Sequence, residues 1–581
     1  MPVEYEEAFA QVTGPGQLFE LTEGTVGGME YRLFKNAPPT LGQLFAGARG
    51  VDSEFLVYED ERWTFDETMR HADALAHALV HTFGITKGDR VGIAMRNLPE
   101  WIVSFAAILS VGAVSVSFNA WWTESELEYA VGDSGVSLLI ADPERADRAH
   151  RPARSRDIPI VVVRGDTSGP ASDGIRHYDD VVNLGDPMPD IEVGPDDDAT
   201  ILYTSGTTGF PKGAVSTHRA VTQALMAFWA GPTIQGVRQG NDPLGGGGFP
   251  PCFILIVPLF HVTGCVPVML SCFGMKFKLV MMYRWEPEAA LRLIESERVT
   301  AFVGVPTQSW DLLESPDFAR YDTSSLATVG GGGAPAPTTL VDRVEKGFRR
   351  GRPNIGYGMT ETNAFGPGNN GDDYVTHPTS TGRARTTIMD VEIRDEAGRP
   401  VAVGERGEIW MKGPNVIRGY WGNPEATAEV IVDGWLASGD LGRIDDEGFL
   451  YIEDRAKDMV LRAGENVYCA EVESAIYEFP GVYEAAVFGV PDERLGEEVA
   501  CVIQRKAGAE FSARELQDFL SGRLASFKIP SRIAFTDEHL PRNPSGKILK
   551  RELRQEYFAD GQPGAKPGDP VDGAVDGAAH P

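Results

Sequence analysis

The sequence predicts an α/β protein with a large N-terminal domain of mixed α/β sheets and a small second domain at the C-terminus. Three observations support this fold class. The chain has 581 residues, more than one hydrophobic core usually holds, so two or more domains are expected. In the first half, amphipathic helical segments alternate with short apolar runs, which is typical of helices packed on largely parallel sheets. From about residue 390 the pattern changes to short strands separated by turns.

The helices and strands of the first half can be assigned in order. Thr64 and Glu67 have the spacing of a capping box, which predicts the start of a helix. Pro99 predicts the start of a second helix, and Thr123 with Glu126 predicts a third. Short apolar runs predict buried strands at residues 90–95, 138–140 and 160–163.

Composition marks the domain boundaries. A charged segment near residue 455 is suited to a linker, and the chain beyond residue 556 is rich in Gly, Pro, Ala and Asp, too poor in apolar side chains to pack. The predicted segments are an N-terminal extension (1–40), the large domain (41–454), a hinge (455–458), the small domain (459–556) and a disordered tail (557–581).

The acidic composition limits the partners of the protein. The formal net charge is −31, which repels nucleic acid and anionic membrane surfaces, so no nucleic-acid partner is expected.

The five cysteines show neither a CxxC pair nor the spacing of Cys/His metal ligands. The N-terminal residues are acidic and lack the apolar run of a secretory signal. Together these features predict a reduced, cytoplasmic protein without a structural metal.

One apolar stretch is long enough to cross a bilayer. Residues 252–274 contain no Asp, Glu, Lys or Arg. Pro258, His261 and Pro267 interrupt the stretch, which therefore predicts a buried strand, turn and helix rather than a membrane span. Peripheral contact with a membrane stays open, and so does the oligomeric state, a homodimer included.

The most informative motif is the segment 203–213, Tyr-Thr-Ser-Gly-Thr-Thr-Gly-Phe-Pro-Lys-Gly, which follows an apolar run at residues 199–202. Glycines let the backbone fold close around an anion, hydroxyl and N–H groups donate to phosphate oxygens, and Lys212 adds a positive charge. The pattern is not a Walker A loop, because Lys212 is preceded by Pro211 and followed by Gly213. The segment predicts a strand that leads into a phosphate-binding loop, with an ordinary exposed Ser/Thr/Gly loop as the alternative.

The order of these eleven residues resembles the phosphate loop of the adenylate-forming, AMP-binding superfamily, which includes acyl-CoA synthetases, peptide-synthetase adenylation domains and firefly-type luciferases. The resemblance covers about residues 40–556, with further motifs in family order. These are Gly-Gly-Gly-Gly-Ala-Pro at 330–335, Gly-Tyr-Gly-Met-Thr-Glu at 356–361, the segment 434–442 ending Gly-Asp-Leu-Gly, and Pro-Arg-Asn-Pro-Ser-Gly-Lys at 541–547. The resemblance implies ATP, Mg²⁺ and coenzyme A as cofactor and co-substrates.

The resemblance also implies roles for single residues. Tyr357 would stack on adenine, and Asp440 would accept hydrogen bonds from the ribose hydroxyls. Glu361 and Thr204 would hold Mg²⁺, a hard cation that prefers carboxylate, hydroxyl and phosphate oxygens. The nucleotide-binding residues implied are Thr204, Ser205, Gly206, Thr207, Thr208, Gly209, Lys212, Gly332, Gly333, Ala334, Pro335, Gly356, Tyr357, Gly358, Met359, Thr360, Asp440, Arg455 and Lys547. Taken alone, Tyr357 would be a core aromatic residue and Glu361 a solvated acid.

Lys547 is the implied catalytic lysine. It would bridge the acyl carboxylate and the α-phosphate, stabilising the charge that develops during adenylation. Lys457 matches the hinge about which the small, mobile α+β C-terminal domain turns. After that rotation the residues Gly464, Glu465 and Asn466 would face the CoA thiol, in a two-state cycle.

The segment 258–264, Pro-Leu-Phe-His-Val-Thr-Gly, resembles the acyl-CoA synthetase branch of the superfamily. The resemblance places His261 and Val262 beside the acyl group, with His261 at the carboxylate. Short-chain enzymes carry Trp where this chain has Gly358, which implies room for a longer acid. Apolar neighbours support a hydrocarbon pocket: Phe253, Ile254, Leu255, Met269, Leu270, Val303 and Val305. Cys469 departs from the family pattern, which has Pro there.

The sequence therefore predicts an AMP-forming acyl-CoA ligase for a medium- or long-chain fatty acid. An aryl or steroid side-chain carboxylate is the alternative acid. A non-catalytic nucleotide-binding relative would be expected to lack Lys547, Glu361 or Asp440, and all three are present. A luciferase-like oxygenase would share these residues.

Overall fold

The computed structural model describes residues 3–165, 174–204, 211–240, 248–333, 336, 338–455, 458–462, 465–492, 494–543 and 546–558. Its helices are α1 (Tyr5–Thr13), α2 (Leu41–Ala46), α3 (Phe65–His81), α4 (Pro99–Ser110), α5 (Glu124–Ser134), α6 (Pro143–Arg154), α7 (Tyr178–Val181), α8 (His218–Gln239), α9 (Ser271–Met275), α10 (Pro287–Glu297), α11 (Pro306–Glu314), α12 (Thr338–Gly347), α13 (Gly371–Thr376), α14 (Pro424–Val430), α15 (Cys469–Tyr477), α16 (Ala513–Ser521) and α17 (Lys550–Phe558). A π-helix spans Gly264–Leu270, and short 3₁₀ turns lie at Phe318–Arg320, Thr360–Thr362 and Ser526–Lys528.

The strands are β1 (Leu21–Val26), β2 (Met29–Phe34), β3 (Glu54–Tyr58), β4 (Glu61–Thr64), β5 (Arg90–Ala94), β6 (Val114–Ser117), β7 (Leu138–Ala141), β8 (Ile160–Val162), β9 (Ile175–His177), β10 (Asp198–Thr204), β11 (Lys212–Thr217), β12 (Cys252–Leu255), β13 (Lys278–Met281), β14 (Ala301–Gly304), β15 (Thr328–Gly332), β16 (Arg352–Gly356), β17 (Gly368–Asn370), β18 (Gly382–Arg383), β19 (Asp390–Arg394), β20 (Gly407–Lys412), β21 (Gly419–Tyr420), β22 (Ile431–Val432), β23 (Trp435–Ile444), β24 (Phe449–Arg455), β25 (Val460–Arg462), β26 (Glu465–Val467), β27 (Val482–Asp492), β28 (Gly496–Arg505) and β29 (Arg532–Thr536).

Two eight-stranded sheets form the centre of the large domain, in the orders β21-β11-β10-β6-β5-β7-β8-β9 and β17-β16-β15-β14-β12-β13-β3-β4. Neighbouring strands within each sheet are parallel, except where β11, β21, β17 and β4 pair antiparallel at the edges. Parallel strands need helical crossovers, which the alternating pattern supplies. The predicted capping boxes of α3 and α5 are both present, so the sequence-based assignment of these helices is confirmed.

The second half of the chain forms two smaller sheets. A six-stranded, largely antiparallel sheet runs β18-β24-β23-β20-β19, with β22 beside β23, and ends at Arg455. The small C-terminal domain follows with a five-stranded sheet, β26-β25-β28-β27 with β29 beside β28, over its own apolar cluster of residues that includes Val472, Val487 and Leu516. The predicted fold class is confirmed. The boundaries proposed at residues 454 and 459 stay predictions.

The segment predicted as an N-terminal extension packs on the large domain. Helix α1 packs on α8, and the buried side chains of Ala8, Phe19 and Phe34 belong to the main hydrophobic cluster of the large domain. The side chain of Gln223 on α8 binds the backbone of Phe34 twice, accepting from its N–H at 2.7 Å and donating to its carbonyl at 3.1 Å. This segment is therefore part of the packing of the large domain.

The C-terminal end and the apolar stretch both form helices in the structure. Helix α17 continues to Phe558, whose side chain is buried, and residues 559–581 of the predicted tail lie outside the described residues. Residues 252–275 fold as strand β12, a turn, the π-helix and α9, as expected. Among the described residues, no helix has the length and apolar character needed to cross a membrane.

Candidate active site

A cleft of about 1740 Å³ lies between the two domains. Its wall contains Tyr357, Gly358 and Asp440 from the large domain, and Asn543 and Lys547 from the small domain. The cleft therefore brings together residues from three separate sequence motifs. Among the predicted site residues, the described lining also includes Gly333, Gly356 and Met359.

Tyr357 and Asp440 form a direct pair. The Tyr357 hydroxyl donates a hydrogen bond of 2.7 Å to Oδ2 of Asp440, although the residues are 83 positions apart. Asp440 lies on β23, and its own N–H donates to Oγ of Ser438 at 3.1 Å. Asp440 stands opposite Arg455 of β24 in the register of that sheet. An aromatic face beside a buried carboxylate is suited to a nucleoside, since the ring can stack and the carboxylate can accept from hydroxyl groups.

The glycine-rich strand β15 has a structural reason for its composition. A Cβ atom on Gly331 would lie 1.8 Å from the carbonyl oxygen of Gly304, and one on Gly332 would lie 2.4 Å from that of Gly356. Glycine is thus required here by contact between neighbouring strands, not only by a ligand. Gly333, with φ of +82°, reaches the cleft, whereas Ala334 and Pro335 lie outside the described residues.

The predicted phosphate loop connects two antiparallel strands. Thr204 ends β10, Lys212 begins β11, and the two residues are paired in register. Between them, Ser205, Gly206, Thr207, Thr208 and Gly209 lie outside the described residues. The ammonium group of Lys212 lies 4.9 Å from the centre of the Tyr420 ring, a cation–π distance.

Tyr420 links the phosphate-loop strand to the predicted metal ligand. Its hydroxyl donates a 2.7 Å hydrogen bond to Oε1 of Glu361, which is 7% exposed. Burial and the Glu361 carboxylate raise the pKa of Tyr420 above its ordinary value, so the hydroxyl stays a donor at neutral pH. Sequence analysis missed Tyr420, because a single tyrosine in a short strand has no local signal that separates it from a core residue.

A buried polar network holds the turn that carries Thr360 and Glu361. Asn363 has a left-handed φ of 54°, which asparagine tolerates better than most residues. Its Oδ1 accepts from Oγ of Ser216 at 3.0 Å, and its Nδ2 donates to the carbonyl of Asn415 at 2.9 Å. Asn415 in turn donates to the carbonyl of Thr362 at 2.8 Å. These bonds fix the turn against β11, and sequence analysis did not identify them.

The absence of a side chain at Gly358 has a structural reason that sequence analysis did not predict. A Cβ atom on Gly358 would lie 2.1 Å from the carbonyl oxygen of Ala364, which itself has a positive φ of 63°. A backbone atom cannot move aside as the end of a flexible side chain can. Room for a longer acid is therefore not the only explanation for glycine at this position.

His261 lies on the turn between β12 and the π-helix. Its Nδ1 accepts from the N–H of Thr263 at 3.3 Å, so we assign the proton of the neutral ring to Nε2. Burial lowers the pKa of His261 to about 4, which keeps the ring neutral at physiological pH. Pro258 and Phe260 line the cleft, whereas His261 and Val262 are not among its described lining residues.

In the lysine loop, residues 541–547, two described residues bind each other through polar groups, and residues 544 and 545 lie outside the described residues. Asn543 Oδ1 accepts from the N–H of Lys547 at 2.8 Å, and the N–H of Asn543 donates to the Lys547 carbonyl at 2.9 Å. Gly546 has φ of +83°, and a Cβ atom there would lie 2.7 Å from Cγ2 of Val305 in the large domain. Gly546 thus lies close to the large domain, and Lys547 lines the cleft that contains Asp440.

Only part of the segment predicted to face the CoA thiol is described. Glu465 and Asn466 are exposed on β26, outside the described lining of the cleft, while Lys457 and Gly464 lie outside the described residues. Cys469 begins α15, and its N–H donates a 2.5 Å hydrogen bond to Oδ2 of Asp454. Proline has no N–H, so Pro at this position could not donate this bond. Cys469, which replaces the Pro of the family pattern, therefore provides a bond across the predicted hinge.

Comparison with known proteins agrees with this geometry. A family model described as AMP-binding enzyme matches residues 2–421, and one described as AMP-binding enzyme C-terminal domain matches residues 471–547. A feruloyl-CoA synthase from Amycolatopsis sp is 36% identical over 501 residues, covering 85% of this chain and 94% of that protein. A long-chain-fatty-acid–CoA ligase from Bacillus subtilis (strain 168) is 32% identical over 546 residues, covering 88% and 93%.

Solved structures show the same architecture. The crystal structure of ATP-bound MatB from Rhodopseudomonas palustris matches with a TM-score of 0.78 at 30% identity, covering 89% of this chain and 99% of MatB. The family models, the full-length relatives and the two-domain cleft lead to one conclusion. The chain belongs to the AMP-binding enzyme family, and within it to the acyl-CoA synthetases.

Proposed function

We propose that this acyl-CoA ligase activates a medium- or long-chain fatty acid in two steps. In the first, the acid carboxylate attacks the α-phosphorus of ATP, forming acyl-AMP and releasing pyrophosphate. In the second, the CoA thiol displaces AMP to give the thioester. The observation that carries the proposal is the cleft in which the Tyr357–Asp440 pair and Lys547 meet. Such chemistry needs positioning and charge neutralisation more than covalent catalysis.

The proposal assigns roles to five residues, of which Tyr357, Asp440 and Lys547 line the cleft. Tyr357 stacks on the adenine, and Asp440 accepts from the ribose hydroxyls. Lys547 stabilises the negative charge that develops between the carboxylate and the α-phosphate. Thr204 and Lys212, at the two ends of the phosphate loop, bind the phosphates.

The oxygen ligands near the phosphate loop are suited to Mg²⁺. The Glu361 carboxylate is positioned by Tyr420 of β21. Thr204 ends β10, which lies two strands from β21 in the same sheet. One carboxylate with hydroxyl, phosphate and water oxygens is an ordinary donor set for this cation. Bound there, Mg²⁺ would supply charge neutralisation on the phosphates.

The choice of acid rests on the wall of the cleft. Apolar side chains of Ile256, Phe260, Val305, Ile355 and Met359 line it. Most of the side chains predicted to form the pocket belong to the core instead. Ile254, Leu255, Met269 and Leu270 are fully buried in the main cluster. Val305, also predicted for the pocket, is in the described lining of the cleft. Apolar walls suit a hydrocarbon tail.

An aryl acid is the second candidate substrate, because the feruloyl-CoA synthase relative is 36% identical to this chain. The test is pyrophosphate release from ATP over fatty acids of graded length, plus cinnamic-type and steroid side-chain acids. We expect the highest kcat/KM on a fatty acid of medium or long chain. Preference for an aryl or steroid acid would overturn the fatty-acid proposal while leaving the ligase reaction intact.

We propose the cytoplasm as the location of the enzyme. The cysteines of the described residues are free and buried, as in a reducing compartment, and the acidic chain disfavours anionic surfaces.

Replacing Glu361 with Gln should weaken the response of the enzyme to Mg²⁺. The amide keeps the shape and can still accept from Tyr420, but it lacks the negative charge that a hard cation prefers. We expect the Mg²⁺ concentration for half-maximal adenylation to rise at least about tenfold, a change worth about 1.4 kcal/mol. An unchanged Mg²⁺ titration would remove Glu361 from the metal site.

A further inference from the structure

One polar contact joins the two domains at the rim of the cleft, far in sequence from the hinge. Tyr483, on β27 of the small domain, donates a 2.9 Å hydrogen bond from its hydroxyl to Oδ1 of Asp311 on α11 of the large domain. The second oxygen of Asp311 accepts from Nε1 of Trp285 at 2.8 Å. Asp311 therefore stands in a fixed orientation in the large domain, aimed at the small one.

The small-domain side of this contact leads to the lysine loop. Glu484, the neighbour of Tyr483, is buried and forms an ion pair with the guanidinium of Arg542. The same guanidinium donates to the carbonyl of Gly546, the residue before Lys547. Burial lowers the pKa of Arg542, while the nearby Tyr477, Asp311 and Tyr483 oppose that shift. Asp311, Tyr483 and the lysine loop thus belong to one continuous polar set.

We propose that the Asp311–Tyr483 hydrogen bond is a positioning device for adenylation, which docks the small domain so that Lys547 reaches the cleft. The inference rests on the proposed role of Lys547. Asp311 and Tyr483 are positioning residues, because they act through the lysine loop and not on the reacting atoms.

Two geometric facts support this assignment. Gly546, next to Lys547, lies close to the large domain, since a Cβ atom on it would be 2.7 Å from Cγ2 of Val305. The Asp311–Tyr483 bond joins residues 172 positions apart and has no role within either domain's own sheet, so its loss changes domain docking more than domain folding. A hydrogen bond to a charged group is strong enough to shift a two-state docking equilibrium about tenfold.

The test is the variant Tyr483→Phe in the full-length enzyme, assayed in both half-reactions. Adenylation is followed as pyrophosphate release from acid and ATP, and thioester formation is followed from pre-made acyl-AMP and CoA. We expect the adenylation rate to fall about tenfold with the thioester rate unchanged or higher. The matched control is Tyr557→Phe, since Tyr557 is a buried tyrosine on α17 of the small domain and is not among the described residues that line the cleft. This control should keep the parent rate in both halves.

A double variant separates positioning from a general structural effect. If Tyr483 acts through the lysine, Tyr483→Phe should cause no further loss of the residual adenylation of Lys547→Ala, because the two effects share one mechanism. Additive losses, equal losses in both half-reactions, or an unchanged adenylation rate would each overturn the proposal. If Lys547→Ala itself fails to separate the half-reactions, the proposed role of Lys547 fails, and that result is read independently of Tyr483.

Discussion

Lys547→Ala should nearly abolish adenylation while largely sparing thioester formation from pre-made acyl-AMP. The lysine loop is docked on the large domain, with Gly546 against Val305 and Lys547 in the wall of the cleft that also contains Asp440. A charged donor aimed at developing negative charge is worth about 10²–10³ in rate. We expect a loss of at least this size in pyrophosphate release, measured at saturating acid and ATP.

The control for this prediction is Lys506→Ala, which removes a lysine of the small domain that is not among the described residues lining the cleft. It should leave both half-reactions near the parent rates. Equal losses in both halves for Lys547→Ala would show that the residue serves folding or docking in general, and the assignment of its charge to the first step would be wrong.

Local signals in the sequence were sufficient for the helices and the central strands. The capping boxes at Thr64 and Thr123 and the apolar runs of β5, β7 and β8 depend on neighbours within a few residues, which a linear pattern contains. The motif resemblance located Tyr357, Asp440 and Lys547, which the fold then brings to one cleft.

The residues that support the site could not be predicted in this way. Tyr420 acts on Glu361 from 59 positions away, Asn363 on Ser216 from 147, and Tyr483 on Asp311 from 172. Each of these contacts forms because separate parts of the fold pack together. The spacing of residues along the chain does not indicate that packing. The same limit applies to the apolar run after Cys252. From the sequence its side chains could line a pocket or belong to a core, and only the packing of the sheet distinguishes the two.

Gly358→Ala should lower stability and reduce activity on every acid. The added methyl group would lie 2.1 Å from the Ala364 carbonyl oxygen and 3.2 Å from its Cα, both backbone atoms. Relief of this contact has to move the segment that carries Asn363, which is tied to Ser216 and Asn415 in a buried network. Overpacking of this kind costs about 1–3 kcal/mol, and displacement of the turn would also move Glu361.

The measurements are the unfolding midpoint and kcat/KM over acids of graded length. Gly356→Ala is the matched control for stability, because a Cβ atom there meets nothing within 4 Å. We expect its unfolding midpoint to stay near that of the parent, and the midpoint of Gly358→Ala to fall by several degrees. If Gly358 instead served only to leave space for the acyl tail, the alanine variant would keep the parent stability and lose activity selectively on the longer acids. That outcome would favour the pocket explanation over the backbone contact with Ala364.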